Sequence, residues 1–255
     1  MIVAENVGKV YRTVSGEPVR ALHSLDLVIR DGEFVCIVGP SGCGKSTFLR
    51  LVAGLDEFSS GEITLSAQKV SGPSSDVGVV FQSATLLPWL TVLQNATLPL
   101  RVGRAVGSSA NVRELLVMVG LRGFENKYPY ELSGGVQQRA AICRALARDP
   151  KVLLMDEPFG ALDALTRERM NIELQRIWQT NRKTVLLITH SIAESVFLAD
   201  RVVVMSSRPG RVLADFSIGL QRPRNFAETP ADPEYLRLTR EIRLLLDSCA
   251  GEEPA

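Results

Sequence analysis

The segment GPSGCGKST, Gly39 to Thr47, constrains this chain more than any other stretch, because a loop of that pattern demands a strand before it and a helix after it. Both are supplied: FVCIV, residues 34–38, is a short apolar run of strand type, and TFLRLVAG reads as a helix. In such a loop Gly39, Gly42 and Gly44 let backbone N–H groups close round phosphate oxygens, Pro40, Ser41, Cys43 and Thr47 complete the turn, and the helix N-terminus adds a favourable dipole. Lys45 is spaced to reach the β and γ oxygens, and Ser46 offers a hydroxyl oxygen of the kind Mg2+ prefers. The alternative, a chance glycine-rich turn with a solvated lysine, is opposed by the flanking strand and helix. Alone, the loop specifies a nucleoside triphosphatase or kinase and nothing narrower.

Three further runs of strand type, VGVVF at 77–81, KVLLM at 151–155 and TVLLI at 184–188, are continuously apolar, as in a parallel sheet covered on both faces. Ile2 to Arg30 instead alternates apolar and polar residues and ends in the turn signal Asp31-Gly32, which predicts an antiparallel edge sheet. Between Thr91 and Asp149 the strand signal stops, and helices separated by breaks at Gly103 to Ser109 and Gly120 to Pro129 are expected. The expected fold is α/β, with a nucleotide-binding core at 1–90 and 150–220, a helical insertion at 91–149, and a linker and helix at 221–255. In the last helix Leu238, Ile242 and Leu245 form an apolar stripe.

Composition removes several classes. With 29 basic against 28 acidic residues the chain has no overall attraction to nucleic acid, so none is expected as a partner. The start MIVAENVGKVYRT lacks the pattern of a signal peptide, and apolar runs such as RVVVM are far short of a membrane span, so a cytoplasmic location is expected. Cys36, Cys43, Cys143 and Cys249 lack C-x-x-C spacing, which fits reduced thiols and no structural metal. Cys43 carries two readings: a thiol activated by the loop's amides and Lys45, or a small apolar residue packed inward.

KVLLMDEP delivers Asp156 and Glu157 to the carboxyl end of a buried strand, where α/β folds bind ligands. Asp156 suits Mg2+ through water and Glu157 suits a general base, unless the pair is merely a solvated acidic turn. The string LSGGVQQR, Leu132 to Arg139, lies just upstream and resembles the signature motif of ABC ATPases. The other motifs occur in that family's order, and the resemblance covers essentially the whole chain.

The resemblance implies a RecA-like P-loop core with an antiparallel β subdomain and an inserted α-helical subdomain, hydrolysing ATP with Mg2+. It implies that Ser133, Gly134, Gly135 and Gln137 hold the γ-phosphate bound to a second copy, in a head-to-tail homodimer that ATP assembles. Gln82 matches the glutamine that touches Mg2+ and water, Asp163 the aspartate that crosses the dimer interface, and His190 the histidine on the γ-phosphate. Tyr11 stands where an aromatic stacks on adenine, although a tyrosine on an alternating strand is as often plain packing. Leu87-Pro88-Trp89 before Thr91, THSIAES with Ser191, DRVVVMSSRPGRV and the tail PADPEYLRLTREIRLLL resemble the importer branch for nitrate, sulfonates and taurine. That branch implies a peripheral protein on the cytoplasmic face of the bacterial inner membrane, docked on transmembrane permease subunits and served by a solute-binding protein. Leu86, Leu87 and Trp89 are then interface or local packing, and Val136 is a silent replacement of methionine. An exporter ATPase or one that remodels a membrane complex would share every catalytic motif, so the branch segments alone speak against it. A P-loop kinase has no use for LSGGVQQR. A repair or translation protein of the family would carry a coiled-coil insertion or a second cassette.

Overall fold

The computed structural model describes residues 1–102, 109–160 and 162–250. The break expected at Gly103 to Ser109 lies, apart from Ser109, outside the described residues. The chain divides into two compact units, one formed by Met1–Ser74 with Arg182–Ala255 and the other by Ser75–Asn181.

In the first unit β1 (Ile2–Arg12) pairs antiparallel with β2 (Pro18–Ile29) and, on its other side, with β4 (Ser60–Leu65), which pairs in turn with β5 (Gln68–Lys69). The alternation predicted for this sheet is interrupted: register shifts between Ala4 and Val10 insert extra residues, and Val7, Gly8 and Lys9 are buried in succession. Gly8 and Gly61 make this possible, since a Cβ on Gly8 would run into the Ser60 hydroxyl and one on Gly61 into the carbonyls of Glu5 and Asn6.

The other sheet of this unit centres on β3 (Phe34–Val38), buried throughout and flanked in parallel by β8 (Thr184–Ile188) and β9 (Arg201–Met205). β10 (Val212–Ser217) closes it antiparallel to β9. Helices α1 (Lys45–Val52), α6 (Ile192–Leu198) and α7 (Pro233–Ala250) complete the unit. Of the predicted stripe of α7, Leu238 and Ile242 are buried and Leu245 is half-buried, and the Tyr235 hydroxyl donates to the Ala193 carbonyl of α6.

In the second unit β6 (Val77–Val80) and β7 (Val152–Asp156) run parallel. They accompany α2 (Val92–Val102), α3 (Ser109–Met118), α4 (Gly134–Leu146) and α5 (Ala164–Asn181). Gly78 lets β6 approach the end of α4, where a Cβ would come within 2.6 Å of the Ala145 carbonyl. The helical segment therefore belongs to a unit that also holds β6, β7 and α5.

Candidate functional site

β3 ends at Val38 and the chain turns through the glycine loop into α1. Gly44 caps the helix at φ 102°, and a Cβ there would meet Leu22 Cδ2 at 2.7 Å and the Ala21 carbonyl at 2.8 Å. Lys45 is only 7% exposed, and its Nζ donates to the carbonyls of Gly39 and Pro40, both at 2.8 Å. The ammonium thus lies across the mouth of its own loop, beside the amides that head α1, a concentration of positive potential suited to an anion. Ser41, Gly42 and Ser46 are exposed, and Gly39, Pro40, Gly44 and Thr47 are partly so.

The structure decides between the two readings of Cys43. The residue is 1% exposed, and a Cβ on Gly39 would come within 2.9 Å of its sulfur, so the side chain is packed inward. All four cysteines are buried; burial pushes the Cys143 thiol up to about 12 and that of Cys36 well above its ordinary value.

The backbone register pairs Ile37 of β3 with Ile188 of β8, so the glycine loop and His190 leave the same edge of one sheet. His190 is exposed in the turn before α6, whose first turn is capped by Ser191 Oγ accepting from the Glu194 amide at 3.3 Å. Tyr11, at the end of β1, is partly exposed, and its hydroxyl donates to Asp56 at 2.7 Å. The segment after β9 braces the loop: Arg208 Nε donates to the Gly42 carbonyl at 3.3 Å, and Gly210 lies so close to the Cys43 carbonyl that a Cβ could not be accommodated. Arg208 and Gly210 fall within the segment DRVVVMSSRPGRV, but nothing in that segment signals their contact with the loop, because Gly42 and Cys43 are distant in sequence.

In the second unit Val80 of β6 pairs with Met155 of β7, so Gln82 and the Asp156-Glu157 pair follow neighbouring strand ends. Gln82 Nε2 donates to Glu157 Oε2 at 3.3 Å. Asp156 is half-buried, and Glu157 has φ 44°, a left-handed conformation that a non-glycine residue adopts at a cost of about 1–3 kcal/mol. Strain of this kind, fixed by surrounding structure, is a mark of functional positions, and the sequence gives no sign of it.

Ser133 is the exposed N-cap residue of α4, with Gly134 and Gly135 opening the helix. A Cβ on Gly135 would approach Leu162 Cδ2 to 2.9 Å, so the glycine lets the loop before α5 pack on the start of α4. Gln137 is occupied differently from the expectation: its Nε2 donates to the carbonyls of Pro129 at 2.9 Å and Leu132 at 3.2 Å, fastening the turn before the helix. Asp163 accepts from the Thr166 amide at 3.0 Å and so caps α5; the Thr166 side chain, then this amide, lowers its carboxyl below the usual range. Two further residues of α4, Gln138 within the LSGGVQQR string and Arg144 beyond it, reach the segment carrying Gln82. Gln138 donates to the Phe81 carbonyl at 2.9 Å, and Arg144 to those of Ala84 and Thr85 at 2.9 and 2.8 Å. Of the loop after Gln82, Trp89 is 69% exposed while Leu86 and Leu87 are half-buried.

A glycine cradle at a helix start, with a lysine laid across it, is built to take a polyphosphate, and the class it defines is the P-loop nucleoside triphosphatases. The narrower assignment comes from likeness to known proteins. A family model described as ABC transporter matches residues 22–160. The nitrate import ATP-binding protein NrtD of Synechocystis sp. is 48% identical over 243 residues, 91% of this chain and 90% of the relative. The taurine import ATP-binding protein TauB of Rhizobium johnstonii is 48% identical over 240 residues, 90% of this chain and 91% of the relative. A dimeric post-hydrolysis structure of the ATP-binding cassette MJ0796, bound to ADP and Pi, superposes with TM-score 0.77 at 35% identity, covering 87% of this chain and all of the other. The chain belongs to the ABC transporter family, as an ATPase of the ATP-binding cassette type.

Proposed function

We propose that this ATPase energises import of a small solute, of nitrate, sulfonate or taurine kind, through a membrane permease on whose cytoplasmic face it sits. The observation that carries this reading is the equal likeness, along nine-tenths of the chain, to import proteins for two unlike solutes. Such likeness follows the transport machinery and leaves the solute open. Among the described residues no helix is long and apolar enough to cross a membrane, so the permease would supply the passage. A solute-binding protein would deliver cargo to it.

In the proposed cycle residues 39–47 hold the phosphates, with Lys45 on the β and γ oxygens, and Tyr11 stacks on adenine. The exposed Ser133, with the amides of Gly134 and Gly135, takes the γ-phosphate bound to a second copy, and Gln137 holds the turn that aims them. Asp163 lies at that dimer contact. The donors assigned to Mg2+ are the Ser46 hydroxyl, the Gln82 amide oxygen and the Asp156 carboxylate. All are hard oxygens, and the Gln82 nitrogen is already engaged by Glu157, which leaves its oxygen as the ligand atom. When bound, the metal would neutralise charge on the transferring phosphoryl group. Glu157 takes the proton of the attacking water, and His190 donates to the γ-phosphate.

Purification of the tagged chain from membranes, followed by uptake assays in reconstituted vesicles, tests the proposal. Recovery of a multispanning permease whose solute uptake requires ATP and Glu157 is the expected result. A permease that moves solute outward, or a partner complex that moves none, would overturn it.

A further inference from the structure

The bulged part of β1 and the turn after α1 carry a polar cluster that no motif covers. Lys9 is buried, and its Nζ donates to Asp56 Oδ1 and to the Glu57 carbonyl, both at 2.6 Å. The same ammonium lies 4.8 Å from the centre of the Tyr11 ring. The second oxygen of Asp56 accepts from the Tyr11 hydroxyl at 2.7 Å. Burial, followed by the Asp56 bond, pushes the phenol up, so it remains a proton donor at neutral pH.

We propose that Lys9 and Asp56 are positioning residues for the nucleotide base, holding the Tyr11 ring at a fixed place relative to the phosphate loop. The inference rests on the reading of Tyr11 as the adenine platform. A tyrosine at the end of a strand, 37% exposed, would otherwise sample several rotamers, and ordering it on binding would weaken the complex. Here the ring is ordered beforehand. Its hydroxyl is committed to Asp56 and its face is partly covered by the Lys9 ammonium, so what it offers a base is a π surface without an edge donor. Stacking of that kind tolerates different bases. Asp56 lies in the turn after α1, the helix that the glycine loop opens, so its bond to Tyr11 ties the platform to the element that carries the phosphate loop.

Binding of ATP, GTP and inorganic tripolyphosphate to wild type, Tyr11→Phe, Asp56→Ala, their double mutant and Tyr11→Ala tests this. Tyr11→Phe keeps the ring at a partly exposed position, so its folding is not in question. Tyr11→Phe and Asp56→Ala should each weaken ATP and GTP alike by roughly threefold to tenfold, the worth of one such hydrogen bond. The double mutant should be no weaker than Asp56→Ala, because both changes cut the same bond, and tripolyphosphate binding should be unchanged. Wild-type ATP affinity in Tyr11→Phe and Asp56→Ala, with weak binding in Tyr11→Ala, would overturn the positioning role and leave the platform intact. Equal losses for tripolyphosphate would also overturn it, by showing a general effect on the fold. Unchanged ATP affinity in Tyr11→Ala would remove the platform reading itself.

Discussion

Replacing Arg224 by Met tests how the C-terminal segment is fastened to the first unit. Arg224 is 3% exposed; its Nη1 donates to the carbonyls of Val196 (3.1 Å), Phe197 (2.9 Å) and Ala199 (2.8 Å), and its Nη2 to that of Leu220 (3.0 Å). The first three acceptors lie at the C-terminal end of α6, where a helix leaves carbonyls without intrahelical partners and the negative end of its dipole. Burial, then repulsion from Arg222, pushes the guanidinium down to about 10, which still leaves it charged at neutral pH. Hydrogen bonds to a charged group contribute about 1.5–3 kcal/mol each, but desolvating the guanidinium costs several kcal/mol in return. The four bonds therefore do not sum to four full contributions. Met fills the volume and leaves four acceptors without donors; at about 1–3 kcal/mol for each unsatisfied buried carbonyl, less the guanidinium desolvation that no longer has to be met, the expected loss is about 3–5 kcal/mol. In a chain of this size that lowers the melting midpoint by about 6–20 °C. Thermal and urea melts followed by circular dichroism would read it. Arg224→Lys should fall between, since one ammonium keeps the charge but cannot fan out to four carbonyls. A loss below about 1 kcal/mol in Arg224→Met would refute the reasoning, by showing that water or relaxation satisfies those carbonyls.

Four other outcomes follow from particular contacts. Glu157→Gln should retain ATP binding and release phosphate at least ~10²-fold more slowly, and near-normal turnover would remove its role as base. Because Cys43 is packed inward, brief maleimide treatment of the native protein followed by peptide mapping should leave it unlabelled; rapid labelling that Mg-ATP suppresses would contradict the packing. Asn95 is fully buried and bonds the Leu87 amide and the carbonyls of Leu87, Leu90 and Thr91. Asn95→Leu should cost about 2–3 kcal/mol and make the segment around Trp89 more sensitive to limited proteolysis, and unchanged sensitivity would count against the role. For Asp56, burial alone would raise the carboxyl, but the bonds from Lys9 and Tyr11 outweigh it and hold it below its ordinary value of 3.8. With the folded value below the unfolded one, this stabilisation is complete above that ordinary value and is lost as pH falls through the folded one. The stability difference between wild type and Asp56→Ala should therefore stay level from about pH 5 to about pH 8 and shrink only in acid, and a loss confined to neutral pH would show another group at work.

The sequence by itself determined what depends on short stretches of chain. A continuous apolar run ending in a polar motif is a buried strand presenting that motif at its carboxyl end, and this held for FVCIV before the glycine loop, KVLLM before Asp156 and TVLLI before His190. The apolar stripe of α7 was legible for the same reason, since helical spacing is local. Tertiary structure decided what depends on partners far along the chain. Strict alternation in β1 would turn Lys9 outward, yet the bulge allowed by Gly8 buries it against Asp56, forty-seven residues away. Cys43 could not be assigned from its neighbours, because its surroundings include Gly39 and the segment that ends at Gly210. Neither Gln138, for all its place in the LSGGVQQR string, nor Arg144 shows what it bonds until the fold brings the carbonyls of Phe81, Ala84 and Thr85 beneath them. Buried polar groups must find partners wherever the fold supplies them, and that requirement, unlike periodicity, leaves no pattern in neighbouring residues.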